Sequence, residues 1–163
     1  DAVDPENGIE YPFSFQNGSG SWDFIFNVYD EIPLDKKRVV TWVNQISAKI
    51  NTKGNKFEAH PGYRFGHTFQ YFSSISVHWV MGKFLANSFV GFSYQKKMKD
   101  EFDGGFENEN TGGNWIYANI GYNHQFNPRL MIGISGSLPI YRSINGLQLT
   151  TDKQANIIIG YII

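Results

Sequence analysis

Five polar residues are the strongest candidates for chemistry in this chain. They are Asp23, Lys49, Arg64, Tyr141 and Asp152. If these side chains meet at one opening, their opposite charges could narrow a passage and select solutes by charge. The same groups could instead only neutralise one another and stabilise the interior of the fold. The sequence leaves both interpretations open.

Catalytic and metal chemistry has weaker candidates. Ser76 and His78 are spaced to share one face of a strand, but no acid partner can be identified for them, so we predict that the chain is not an enzyme. The other histidines, His60, His67 and His124, lack the spacing of metal ligands. The chain has no cysteine, which excludes disulfides and thiol catalysis. We therefore predict no metal and no cofactor.

The segment 96–113 is rich in carboxylates. It contains Asp100, Glu101, Asp103, Glu107 and Glu109. Such a group could bind Ca²⁺ or bridge lipopolysaccharide through divalent ions, but its spacing does not match an EF-hand. The sequence favours a solvated acidic loop.

The elements that must position these residues are predicted from hydrophobic periodicity. In segment 114–126, Ile116, Ala118 and Ile120 alternate with polar residues such as Asn119 and Asn123. Alternation with a period of two is typical of a strand with one apolar and one polar face. The same pattern predicts seven strands, at 22–30, 38–50, 65–81, 84–95, 114–126, 129–141 and 153–163.

The length of these strands favours a membrane protein. A tilted strand needs about 9–11 residues to cross a bilayer, whereas globular strands average about 5–6 residues. We therefore predict an all-β fold, an antiparallel transmembrane β-barrel of outer-membrane type. A soluble lipocalin-like barrel or a sandwich would show the same alternation and remains an alternative. The net charge of −1 gives no electrostatic case for binding nucleic acid.

Aromatic residues near the predicted strand ends fit this fold. Outer-membrane barrels carry belts of aromatic side chains at both membrane interfaces. The predicted interface residues are Trp22, Phe65, Trp79, Trp115, Phe126 and Tyr161.

The predicted connections alternate between short and long, as in barrels with short periplasmic turns and long external loops. Seven is an odd number of strands, whereas single-chain bacterial barrels usually have an even number. Either residues 8–15 supply an eighth strand, or further strands precede this chain. Because Pro12 makes 8–15 a poor spanning strand, we predict that 1–163 is one domain, the C-terminal portion of a barrel of about 12 strands. Residues 1–20 are then an external loop or irregular segment.

The apolar end of the chain, "ANIIIGYII" at 155–163, suits a final strand whose outer face meets lipid. Barrel strands of this kind usually end in Phe, whereas this chain has Ile163.

Several stretches together resemble the bacterial outer-membrane transporter family grouped with the MetA-pathway of phenol degradation proteins. These are "GSGSWDFIF" (18–26), "INTKG" (50–54), "GYRFG" (62–66), "TGGNWIYANIGY" (111–122) and "LPIYRSINGLQLTTD" (138–152). In that family they occur in the same order, in the C-terminal part of a longer barrel. The resemblance implies an outer-membrane channel or transporter whose solute is generally unassigned, and it brings no catalytic residues.

The expected function is passive passage of small solutes across the outer membrane of a Gram-negative bacterium. The alternative is a structural or accessory barrel subunit of a larger outer-membrane assembly. The expected partners are outer-membrane lipid and lipopolysaccharide, a small solute, and proteins of such an assembly.

Overall fold

The computed structural model describes residues 21–54, 62–82, 84–150 and 152–161. Its strands are β1 (Asp23–Pro33), β2 (Val40–Asn51), β3 (Thr68–Met81), β4 (Phe84–Lys97), β5 (Gly113–Asn127), β6 (Leu130–Ile144) and β7 (Gln154–Tyr161). A short 3-10 turn covers Asp103–Gly105. Within the described residues, no helix is long and apolar enough to cross a membrane. The predicted segments 1–20 and 8–15 and the final residue Ile163 lie outside the described residues.

The strands form one antiparallel sheet in chain order, from β1 to β7. The all-β prediction and all seven predicted strands are confirmed, with bounds shifted by a few residues. The largest shift at a strand start is in β3, which begins at Thr68 and not at 65. In the described part of the chain, β1 pairs only with β2 and β7 only with β6, so the sheet is open.

The connections separate the two ends of the sheet, as predicted. The strand ends joined by the short connections 34–39, 82–83 and 128–129 lie at one end of the sheet, called here the short-turn end. The strand ends joined by the long connections 52–67, 98–112 and 145–153 lie at the other, called the long-loop end. The first turn is closed by Asp35, whose carboxylate accepts hydrogen bonds from the backbone N–H groups of Val40 (2.7 Å) and Lys37 (2.9 Å). These bonds, led by that of Val40, hold the pKa of Asp35 below its ordinary value.

The sheet has one polar and one apolar face, because cross-strand partners share a face. Asn27, Ser47 and Gln70 lie on the polar face, where Asn27 pairs with Ser47 and Ser47 with Gln70. Val90 and Ile120 pair with each other on the apolar face. The predicted alternation therefore describes both faces of the sheet correctly over most of its length.

Burial is inverted relative to a soluble sheet. On the apolar face, Val90 is 62% exposed and Ile120 is 66% exposed. On the polar face, Ser74 and Ser76 are each only 4% exposed. Among the described residues the buried apolar side chains are Tyr63, Ala86, Trp115 and Tyr117. In the central strands the polar face is therefore shielded and the apolar face uncovered, whereas β1 is exposed on both faces.

The uncovered apolar face is large. Strands about 4.8 Å apart that rise roughly 3.3 Å per residue give a seven-stranded face of roughly 30 Å by 35 Å. Soluble monomers rarely expose a contiguous apolar patch of more than a few hundred Å². The apolar face is therefore larger than the patches that soluble monomers usually expose.

Some polar side chains on the apolar face are paired with aromatic ones. The indole N–H of Trp42 donates to the Ser73 hydroxyl (2.8 Å), and the Tyr71 hydroxyl donates to the Asn44 side-chain oxygen (2.8 Å). A hydrogen-bonded polar group costs far less to place in an apolar medium than an unpaired one. These pairs make the face tolerable in such a medium.

Candidate functional site

The centre of the polar face carries chains of side-chain hydrogen bonds between strands. The Asn123 amide N–H donates to the Asn87 side-chain oxygen (3.0 Å), and the Asn87 amide donates to Ser76 (3.1 Å). A second chain joins three strands further toward the long-loop end: Ser137 donates to Asn119 (2.7 Å), which donates to Ser93 (3.0 Å). These chains order a surface that still offers hydroxyl and amide groups to a solute.

A polar cavity of about 290 Å³ lies over this face. Its lining includes Gln45, Gln70, Gln95, Tyr117 and Gln154, from five different strands. Amides both donate and accept hydrogen bonds and carry no charge. The cavity can therefore exchange hydrogen bonds with water or with a small polar solute without binding an ion tightly.

The five predicted site residues all lie at the long-loop end, but they do not form one cluster. Asp23 and Lys49 come from the paired ends of β1 and β2, and their side chains form an ion pair of 2.9 Å. Both are partly exposed, so this pair contributes at most about 1 kcal/mol. The structure shows an ion pair here, without contact to the other predicted residues.

Arg64 lies in the loop before β3 and not in a strand. Its guanidinium pairs with the Glu101 carboxylate and lies 3.0 Å from the His67 ring nitrogen Nε2. The backbones of Arg64 and Glu101 also exchange two hydrogen bonds of 2.8 Å. Arg64 therefore joins two long loops to each other.

The prediction for Tyr141 is wrong because β6 contains a bulge. Ile116 pairs with Tyr141 and Tyr117 with Pro139, so Ile140 is an extra residue. An extra residue reverses the faces of the residues that follow it. Tyr141 therefore lies on the apolar face.

Arg142 takes the place predicted for Tyr141. It pairs across the sheet with Trp115 on the polar face. Its guanidinium Nη1 lies 3.3 Å from the carboxylate of Asp152. The alternation could not identify Arg142, because a bulge leaves no clear signal in the residue types around it.

The predicted interface aromatics divide into two groups. Trp22, Trp79, Phe126 and Tyr161 are exposed close to strand ends. Trp115 differs, since it pairs with Gln95 and Arg142 on the polar face and is only 8% exposed. Trp115 has the same parity along β5 as Asn119 and Asn123, and this parity places it on the polar face. Phe65 lies outside the strands, 5.3 Å from the Tyr63 ring in a T-shaped contact.

The long loops are organised around Asp100. Its carboxylate accepts hydrogen bonds from the Tyr63 hydroxyl (2.7 Å) and the Gly66 backbone N–H (2.8 Å), and it lies 3.0 Å from the Lys97 ammonium. Asp100 is 3% exposed. The prediction of a solvated acidic loop is therefore wrong at this residue, because the loop before β3 folds over it.

The remaining carboxylates of this segment are paired with cations. Lys99 lies 3.0 Å from Glu107 and 2.6 Å from Glu109, and Lys53 lies 3.8 Å from Asp103. The two glutamates, Glu109 first, raise the pKa of Lys99. Over the described ranges no group of three or more potential metal ligands occurs. Every carboxylate of the segment therefore has a cationic partner, and we call residues 62–67 and 98–112 the Asp100 platform.

Tyr63 provides a pH test of the Asp100 platform. Burial, and then the hydrogen bond to Asp100, raise the pKa of its hydroxyl above the ordinary value. The contribution of this contact to stability is then complete below the unfolded pKa of about 10 and is lost as pH rises through the folded pKa. We expect the difference in unfolding free energy between wild type and Tyr63→Phe to stay constant up to pH of about 10. Above that pH the difference should decrease. Denaturant unfolding of both proteins at several pH values measures this difference. A decrease below pH of about 9 would contradict this assignment.

His78 lies on the polar face, as predicted, but its partners do not form a catalytic triad. Its Nε2 lies 3.0 Å from the Thr41 hydroxyl, and a Glu31 carboxylate oxygen lies 3.9 Å from the same nitrogen. In a triad the acid and the nucleophile contact opposite ring nitrogens. Ser76 is bonded to Asn87 and not to His78. Ser76 and His78 therefore do not form a hydrogen-bonded nucleophile–base pair in this arrangement.

Comparisons of the chain with protein-family models, with curated proteins and with solved structures found no match. The family resemblance noted from the sequence therefore stays a prediction. The function is argued below from the geometry of the sheet.

Proposed function

We propose that this chain is part of a transmembrane β-barrel of the bacterial outer membrane that forms a passive channel for small polar or amphipathic solutes. The observation that carries the proposal is the inverted burial of the sheet. An apolar face that is exposed on all seven strands matches the lipid-facing side of a barrel. A polar face that is shielded in the central strands matches its lumen.

Strand length supports the same proposal. Six of the strands contain 11 to 15 residues. About 9–11 tilted residues cross the hydrocarbon core. The strands are thus long enough to span the membrane and extend into both interfaces, where the exposed aromatics Trp22, Trp79, Phe126 and Tyr161 lie.

Barrel closure is part of this proposal. The outer edges of β1 and β7 carry backbone groups that have no ladder partner within the described residues. Each unpaired group costs several kcal/mol in lipid. Because an odd number of antiparallel strands places β1 and β7 parallel to each other, an odd number of additional strands would give an all-antiparallel barrel.

The second candidate function is a structural or accessory barrel subunit without transport. The observation in its favour is aromatic filling of the polar face. The Phe72 and Phe89 rings meet there in a T-shaped contact at 6.1 Å, and Tyr117 is buried nearby. A lumen filled by side chains would conduct no ions.

Conductance in planar bilayers tests the channel. We expect discrete single-channel steps, and we expect Lys49→Gln and Arg64→Gln each to shift selectivity toward cations, because each substitution leaves a carboxylate without its partner at the long-loop end. Lys37→Gln, in the exposed first turn at the opposite end, controls for net charge and should shift selectivity less. Absence of steps across voltages and salts would favour the structural subunit. Unchanged selectivity in both variants would exclude a charge filter at this end.

A further inference from the structure

A second cavity, of about 570 Å³, lies at the short-turn end. We call it the short-turn cavity. The lining residues Asn87, Asn123, Gln125 and Met131 lie on the polar face by register, because each pairs with another polar-face position. The cavity therefore opens on the same face as the hydrogen-bonded chains, at the opposite end from the paired charges.

The walls of the short-turn cavity are partly apolar and partly polar. Leu85 and Met131 provide apolar surface, whereas Asn87, Asn123 and Gln125 provide amides. Asn87 and Asn123 are fixed by their mutual hydrogen bond. Most of the accessible lining is nevertheless apolar. Such a mixture suits a ligand with a hydrocarbon body and one polar group.

The charge at the rim is positive. Arg129 lines the cavity from the 128–129 turn, where its backbone N–H donates to the Asn127 side-chain oxygen (2.8 Å). In the part of the chain that the structure describes, its guanidinium has no carboxylate partner, and no carboxylate lines the cavity. Lys49, Arg64 and Arg142, at the other end, each have one. Arg129 is therefore available to an external anion.

We propose that the short-turn cavity binds a small amphipathic carboxylate. The carboxylate group lies at Arg129, whose planar guanidinium matches it with two parallel hydrogen bonds. The hydrocarbon body lies against Leu85 and Met131. That the ligand is also transported rests on the proposed channel function, whereas its binding does not.

Calorimetric titration of the detergent-solubilised protein with hexanoate and with hexan-1-ol tests the proposal, since the two probes share a chain length and differ in charge. We expect hexanoate to bind about tenfold more tightly, the effect of one charge-assisted contact. Arg129→Gln should lower hexanoate affinity about tenfold and leave hexanol affinity unchanged. Arg129→Lys should retain part of the preference. Leu85→Asn should weaken both probes.

Arg142→Gln, the loss of a cation at the opposite end, is the matched control and should leave both affinities unchanged. Equal binding of the two probes, undiminished hexanoate affinity in Arg129→Gln, or an equal loss in Arg142→Gln would overturn the proposal. So would absence of hexanoate binding to a wild-type protein whose circular dichroism shows an intact sheet. The titration needs no bilayer. Hexanoate binding without conductance would therefore contradict the channel function and support the proposed binding site.

Discussion

Ile120→Arg is expected to destabilise the protein in lipid vesicles by about 2–4 kcal/mol, the cost of an arginine on the lipid face at the bilayer midplane. Ile120 lies in the middle of β5, paired with Val90 and Gly136, and is 66% exposed on the apolar face. In a soluble protein, a polar substitution at so exposed a position changes stability by less than about 0.5 kcal/mol. Equilibrium unfolding by denaturant in vesicles measures the difference.

Leu149→Arg is the matched control for Ile120→Arg. Leu149 is 97% exposed in the long connection before β7 and lies outside the strands. The same chemical change there should leave the unfolding free energy nearly unaltered. An equally small effect of the two substitutions would contradict a lipid-facing sheet, and equally large effects would indicate a general intolerance of arginine.

Asp100→Leu is expected to have the second largest effect, a loss of about 3 kcal/mol in unfolding free energy. The substitution keeps the branching of the side chain but replaces the two carboxylate oxygens with methyl groups, which removes the acceptor for the Tyr63 hydroxyl and the Gly66 N–H. Loss of the acceptor of a buried donor costs about 1–3 kcal/mol. The Lys97 ammonium, which is partly exposed, adds less because water can solvate it.

Limited proteolysis locates the effect of Asp100→Leu. We expect new cleavage within 98–112, since the Asp100 platform loses the contacts that hold its two loops together, while the strands stay protected. Asp103→Leu is the control, because Asp103 is exposed and its ion pair with Lys53 spans 3.8 Å. It should change stability by less than about 0.5 kcal/mol. Resistance of Asp100→Leu to cleavage would show that other contacts organise the platform.

The strands of the sheet could be predicted well from the sequence, because the signal for a strand lies in residues that are neighbours in the chain. Alternation in segments such as 114–126 depends only on the identity of neighbouring residues, and the pattern in the structure follows it. The short connections could be predicted from the sequence equally well. At 127–129, Asn127 and Pro128 carry recognised turn chemistry, and Asn127 accepts the backbone N–H groups of Arg129 and Leu130.

The site was predicted less well because it depends on contacts between distant segments. The pairing of Tyr63 and Asp100 joins positions 37 residues apart, and nothing in the acidic composition of 96–113 separates Asp100 from its exposed neighbours. The bulge at Ile140 reversed the face predicted for Tyr141 and left Arg142 unidentified. The position of Trp115 near a strand end predicts an interface aromatic, although its parity places it on the polar face.

Single-cysteine scanning along β5 tests the central claim most directly, and the absence of native cysteine makes every label unique. Nitroxide labels at Ala118, Asn119, Ile120, Tyr122 and Asn123, in protein folded into lipid vesicles, report collisions with oxygen in lipid and with a water-soluble nickel complex. We expect oxygen to dominate at Ala118, Ile120 and Tyr122, and the nickel complex at Asn119 and Asn123. Access of the nickel complex to all five positions, or the opposite phase of alternation, would contradict a sheet whose apolar face meets lipid.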